Sequence, residues 1–104
     1  MSNPGKNHVI SRSMIRNFLS NHDVQPATEK ALNFWYRTVK GISWGNFADV
    51  KATFSSADVV GRRIVFDIGG HKLRIIARVN YQHRRVHILH VLTHAEYDRG
   101  GWKE

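Results

Sequence analysis

Residues 63–92 read RIVFDIGGHKLRIIARVNYQHRRVHILHVL, and the fold follows from how this stretch alternates and reverses. Ile64, Phe66 and Ile68 fall on one side of a first strand over Arg63–Ile68, because successive side chains of a strand point to opposite faces. Gly69-Gly70 predicts a two-residue hairpin turn, since glycine accepts the positive φ that such turns demand. A returning strand is expected from His71 to Tyr81, with Leu73, Ile75, Ala77, Val79 and Tyr81 on one face. Lys72, Arg74, Ile76, Arg78 and Asn80 share the other, which makes that face basic. A second reversal near Gln82-His83 leads into Arg85–Leu92, apolar enough on both faces to be a central strand.

Upstream the period changes. His8-Val9-Ile10 predicts a short strand, and Ser11 or Ser13 is expected to cap a helix whose buried stripe is Met14, Ile15, Phe18 and Leu19. A second helix is predicted from Pro26, which a first turn tolerates, to about Gly41. Ala27, Ala31, Trp35 and Val39 form its stripe, read as core. Residues 43–60 have no clean period. Trp44 and Phe47 are expected to anchor a loop there, with a helical turn over Asn46–Lys51. Downstream, Thr93 followed by Glu96 has the spacing of a capping box and predicts a final helical turn, after which Arg99-Gly100-Gly101 reads as a fraying tail. Two helices followed by a mainly antiparallel sheet make an α+β domain. The expected organisation is a flexible segment over residues 1–7 and one domain over residues 8–104.

The chain has 104 residues, room for one hydrophobic core. Sixteen Lys and Arg against eight Asp and Glu give a formal charge of +8, which favours a polyanionic partner such as RNA, DNA or the ribosome. The competing account of that surplus is solubility alone. With no cysteine, disulfides and thiolate metal sites are excluded. The polar start and the lack of a long apolar run lead to the expectation of a soluble, unexported, cytoplasmic protein. Gly69-Gly70 lacks the rest of a phosphate-loop signature, and the histidines have no convincing ligand spacing, so neither nucleotide hydrolysis nor a metal site is expected.

Three ordered segments carry a family likeness: Asn46–Phe54 (NFADVKATF), Val65–Arg74 (VFDIGGHKLR) and Thr93–Asp98 (THAEYD). Through them the stretch Trp44–Asp98 resembles the HigB-type toxins of the RelE-like superfamily, while residues 8–41 are similar mainly in pattern. The likeness implies a RelE-like α+β domain: two N-terminal helices packed on a small, mainly antiparallel sheet, with a short C-terminal helical turn. It further implies cleavage of messenger RNA on the translating ribosome by attack of a 2′-hydroxyl on its own phosphate, without metal or other cofactor. The implied partner is a helix-turn-helix antitoxin of the HigA kind, with operator DNA contacted only through the joint complex. The family often carries Asn where this chain has Asp67 and His71; an acidic group near phosphate leads to the expectation that Asp67 points away from substrate or pairs with a neighbouring cation.

That reaction needs a proton acceptor, a cation for the phosphate and a donor for the leaving 5′-oxygen. Lys51, Arg74, His94 and Tyr97 lie on the resembling segments and are the catalytic candidates. Arg74 suits the phosphate, because its planar fork can grip two oxygens. The alternative is an exposed strand arginine kept for solubility. His94 suits proton transfer, since imidazole changes charge near neutrality, although a histidine at a strand end is more often a surface residue. Tyr97 can move a proton or stack on a base, or simply complete the core edge. Lys51 can act as a base only with lowered proton affinity, and otherwise neutralises phosphate. Arg62, Arg63, His71, Lys72 and Arg78 are the candidates for RNA contact. Arg78 either extends the phosphate track or is merely solvated, and His87 and His90 read as packed or interface residues. Two rival readings remain open: a non-catalytic module holding RNA or DNA on the same basic sheet, and a ribonuclease that needs no ribosome.

Overall fold

The computed structural model describes residues 5–103; Met1–Pro4 of the leading segment lie outside them. Strand β1 is His8–Ile10, helix α1 Ser13–Asn21, α2 Pro26–Lys40 and α3 Phe47–Thr53. Strands β2 (Asp58–Val60), β3 (Arg63–Ile68), β4 (Leu73–Asn80) and β5 (Arg85–Thr93) follow, then α4 (His94–Arg99) and a 3₁₀ turn over Gly101–Lys103. One sheet runs in the order β1-β5-β4-β3-β2. Its pairings are antiparallel except β1, which lies parallel to β5 with Val9 beside Val86. This is the α+β architecture expected, with helices α1–α3 on one face of a mostly antiparallel sheet.

The alternation along the strands divides the molecule. Ile64, Phe66, Ile68, Leu73, Ile75, Ala77, Val86 and Ile88 turn toward the helices and bury Ile15, Phe18, Leu32, Trp35, Val39, Trp44 and Val50 with them. Phe66 sits in the middle, edge-on to Trp35 and parallel to Trp44. On the opposite face a second, smaller core forms from Val65, Ile76 and Trp102, with Val60, Leu92 and Tyr97 against it.

Several local expectations change. Helix α1 has no hydroxyl cap; its N-cap is Arg12, and the Ser11 hydroxyl is engaged instead with His87 Nε2 at 3.0 Å. The β3–β4 connection is four residues long, because Gly69, Gly70 and His71 all take positive φ and β4 begins only at Leu73. His71, the unfavourable member of that run, is held by its Nδ1 against Asp67 Oδ2 at 3.1 Å. A strand, β2, sits within the stretch that lacked a period, and pairs with β3 as a three-residue edge. Asn7, placed by sequence in a flexible segment, is buried; its backbone N–H donates to Ile42 O and its Oδ1 accepts from Trp44 N. The tail expected to fray is fixed as well. Gly100 closes α4 in the left-handed conformation, and Trp102 is only 4% exposed.

Candidate active site

Arg74 organises the open face. It is 8% exposed, and its Nε donates to Asp67 Oδ1 at 2.9 Å, directly across the β3–β4 ladder. Asp67 thus pairs with the Arg74 cation, as the sequence led one to expect, and its other oxygen meets the His71 imidazole. The Arg74 Nη1 group donates to the carbonyls of His71 and Leu73. Consequently the two-pronged grip expected of this guanidinium is committed within the fold, and among the described residues only Nη2 carries no hydrogen bond. Burying such a cation is costly unless it is paired, so Asp67 and the two carbonyls offset that cost and hold the group fixed.

Helix α4 brings the second contribution. Thr93 and Glu96 close a complete capping box: Glu96 N–H donates to Thr93 Oγ1, and Thr93 N–H donates to the Glu96 carboxylate. That backbone hydrogen bond, aided by His22 Nε2 at 3.4 Å, holds the Glu96 carboxyl below its ordinary range despite partial burial. His22 is itself stacked on Phe18, so α4 is tied to α1. The His94 amide donates to Lys72 O, which ties it equally to the β3–β4 turn.

Positions 94, 97 and 98 of α4 fall on one side of the helix. His94 Nδ1 meets Asp98 Oδ2 at 2.9 Å. Tyr97 lies under the Arg74 guanidinium, 5.1 Å from ring centroid to Cζ, and stacks on Trp102 with centroids 5.0 Å apart. The indole N–H of Trp102 donates to Tyr97 O, which ties the ring pair to the backbone. Beside this pair a hollow of 340 Å³ is lined by His90, Leu92, Glu96, Arg99, Gly101 and Trp102. Burial, and then the nearby Arg63 charge, pushes the His90 imidazole down from its ordinary value.

The structure therefore brings together Arg74, Tyr97, His94 and His71 around the β4 start and α4. Lys72 joins them through its backbone; its ammonium reaches away to Gln25 Oε1 at 3.0 Å. Lys51 is not in the group. It lies on α3, whose Val50 is packed into the helix-side core, and its ammonium donates to Ser55 O at 2.7 Å. Arg62, Arg63 and Arg78 gather elsewhere on the open face, around a hollow of 220 Å³. Sequence reading passed over Asp98 and Trp102. The i,i+4 spacing of His94 and Asp98 was a usable signal for the first, whereas nothing local marks Trp102 as buried. Among the described residues no group of three or more His, Cys, Asp or Glu side chains is placed to hold a metal ion, and no helix is long and apolar enough to cross a membrane.

Residues 28–100 match the HigB_toxin family, described as the RelE-like toxic component of a toxin-antitoxin system. The chain belongs to this family. It is 30% identical over 95 residues to an mRNA interferase HigB of Escherichia coli O6:H1 (strain CFT073), an alignment covering 88% of this chain and 89% of that protein. It is also 38% identical over 52 residues to the mRNA interferase toxin HigB of E. coli K12, covering 47% of this chain and 50% of the relative. The mRNA interferase HigB of Shigella flexneri aligns to the same extent. The span matching the HigB family takes in the Arg74 group, Lys51 and the arginine cluster, and leaves out β1, α1, Trp102 and Lys103.

Proposed function

We propose that this HigB-family chain inhibits translation by cutting messenger RNA in the ribosomal A site, and that a helix-turn-helix antitoxin silences it by covering the open face. The observation that carries the reading is the Asp67–Arg74–Tyr97 arrangement: a fixed guanidinium with one uncommitted edge over the Tyr97 ring and, on the same side of α4, an oriented imidazole. Asp98 on Nδ1 of His94 favours the tautomer that leaves Nε2 as a proton acceptor. In the proposed reaction Nε2 takes the 2′-proton while the ribose 2′-oxygen bonds to phosphorus and the bond from phosphorus to the 5′-oxygen breaks. Arg74 Nη2 stabilises the charge on the phosphoryl oxygens, and the Tyr97 hydroxyl donates to the departing 5′-oxygen. The products are a 2′,3′-cyclic phosphate and a 5′-hydroxyl. The Trp102 ring stacked on Tyr97 favours the hydroxyl, rather than base stacking, as what Tyr97 offers. Lys51 has no part in this chemistry, since its ammonium is engaged at the far side of the sheet.

The test is cleavage of a defined message on purified translating ribosomes, with end-group analysis of the fragments. Cyclic-phosphate and 5′-hydroxyl ends, lost in the Arg74→Lys and His94→Gln variants, are expected. Ends bearing a 5′-phosphate would overturn the chemistry, and RNA binding without any cutting would favour the binding-module reading. Equal cutting of naked RNA would remove the ribosome from it.

A further inference from the structure

The linker between α1 and α2, residues 22–25, is fastened at both ends to the elements that carry the candidate site. His22 stacks on Phe18 with ring centroids 3.9 Å apart, and its Nε2 meets the Glu96 carboxylate of α4 at 3.4 Å. Gln25 Oε1 accepts from the Lys72 ammonium at 3.0 Å, beside the β3–β4 turn. Between these two ties lies a hollow of 290 Å³. Phe18, Val24 and Leu73 give it apolar walls, and Asp23, Gln25 and Thr28 are among its polar groups. Small-ligand sites have this character, mostly apolar with a few fixed polar groups, and the volume is near the lower end of theirs.

The hollow sits where the sheet ends. Leu73 and Thr93, the last pair of the β4–β5 ladder, line it, and each is the chain neighbour of a catalytic candidate, Arg74 and His94. Successive strand residues face opposite sides, so Leu73 turns to the helices and Arg74 to the open face. Thr28 is the informative residue. It is 5% exposed, it lines the hollow, and among the described residues its hydroxyl makes no hydrogen bond. The turn holds it in place, since a Cβ on Gly69 would stand 3.5 Å from its side chain. A buried hydroxyl without a partner is unfavourable, and a ligand that supplies one removes the deficit. Among the described residues the Gln25 amide nitrogen and the Asp23 carboxylate are unengaged as well.

We infer that this hollow receives one unpaired base of the RNA held at the Arg74 centre, and that Asp23, Gln25 and Thr28 read its edge. A phosphate does not suit it, because Asp23 would repel the charge and the Lys72 ammonium on its rim is tied to Gln25. A base does. It presents flat apolar faces to Phe18, Val24 and Leu73, and at its edge both donors and acceptors for a carboxylate, an amide N–H and a hydroxyl. Single-stranded RNA splays its bases outward, so a strand gripped by its phosphate on the open face can turn a neighbouring base around the sheet end. The inference rests on the reading of this chain as an RNA-directed toxin and adds base selectivity to it. Two sources share this chemistry, the message strand and ribosomal RNA beside it.

Binding is measured apart from cutting, on ribosomes programmed with a message whose A-site 2′-oxygens are methylated so that attack is impossible, and on ribosomes without message. Each A-site base is removed in turn. One abasic position should weaken binding of the unaltered chain roughly 10-fold, the size of one good set of base contacts. Thr28→Val keeps the side chain's shape and removes a hydroxyl with no partner in the fold, so its urea midpoint should not fall. It should bind the intact message about 5-fold more weakly and lose nothing further at that abasic position. Asp23→Asn, at an exposed position, should behave likewise and alter which base is preferred there. A Thr28→Val loss that persists without message, together with indifference to every abasic position, assigns the base to ribosomal RNA and equally supports the pocket. Additive losses from Thr28→Val and the abasic position, variants that bind every RNA as the unaltered chain does, or an unaltered chain that binds no ribosome would overturn it. Because the message cannot be cut, a failure of the proposed cutting chemistry leaves this result readable.

Discussion

Replacing Trp102 by alanine removes the centre of the small core on the open face. The indole is 4% exposed, stacks on Tyr97, packs on Val65 and Ile76, and donates to Tyr97 O at 2.9 Å. Truncating a buried Trp to Ala costs about 3–5 kcal/mol through lost transfer energy and the cavity left behind. A domain of this size unfolds with roughly 5–15 kcal/mol, and each kcal/mol moves its Tm by about 4–8 °C. The variant should therefore remain folded at room temperature while its melting midpoint drops by well over ~10 °C. Trp102→Phe keeps most of the ring stack and loses the N–H donor, so it should cost only about 1 kcal/mol. Urea unfolding followed by far-ultraviolet circular dichroism reads both values at unchanged slope. A Trp102→Ala loss below about 0.5 kcal/mol, the range of ordinary surface substitutions, would mean that the Gly101–Lys103 turn does not pack as described and that Tyr97 is not supported from behind.

Three further outcomes are expected. Arg74→Lys should lower the single-turnover rate of message cleavage by about 10²-fold, because an ammonium cannot satisfy Asp67 and two carbonyls while also facing a phosphate; an unchanged rate would remove Arg74 from the reaction. Asp67→Ala leaves the Arg74 cation with carbonyl partners alone and should cost roughly 2 kcal/mol in urea unfolding, whereas no loss would show the pair to be energetically idle. The depressed Glu96 carboxyl contributes stability that is present above its ordinary value of 4.5 and is lost as pH falls through the lower folded value. Glu96→Gln should flatten that acid limb in a pH series of melting curves, and a limb of unchanged steepness would argue against the Thr93 and His22 contacts.

The sheet was legible because its two long strands alternate cleanly and Gly69-Gly70 announces a reversal; the Thr93–Glu96 cap was legible because its chemistry is local. The parallel β1–β5 pairing was not, since no short-range pattern records which distant strand His8–Ile10 will join. The length of the β3–β4 turn was missed because His71 takes a left-handed conformation that its residue type does not announce, beside a contact with Asp67. At the site, residue type together with a place on the resembling segments singled out Arg74, His94 and Tyr97. What it could not show is that Arg74 spends Nε and Nη1 inside the fold, or that Lys51, three residues before Phe54 on a resembling segment, is turned to the other side of the sheet. Those are facts of tertiary packing, as is the burial of Trp102 next to two glycines that read as a frayed end.

The place of β5 bears on how the molecule comes into being. That strand forms ladders with both β1 and β4 and leads straight into α4, yet residues 85–99 leave the ribosome after almost everything they organise. Helices α1 and α2 emerge with no sheet centre to dock on, and long-range pairing of this kind is slow to form. A nascent chain therefore has neither a seated Tyr97 nor a placed His94 until β5 has emerged, and the Arg74 group is assembled only once that strand has slotted between β1 and β4.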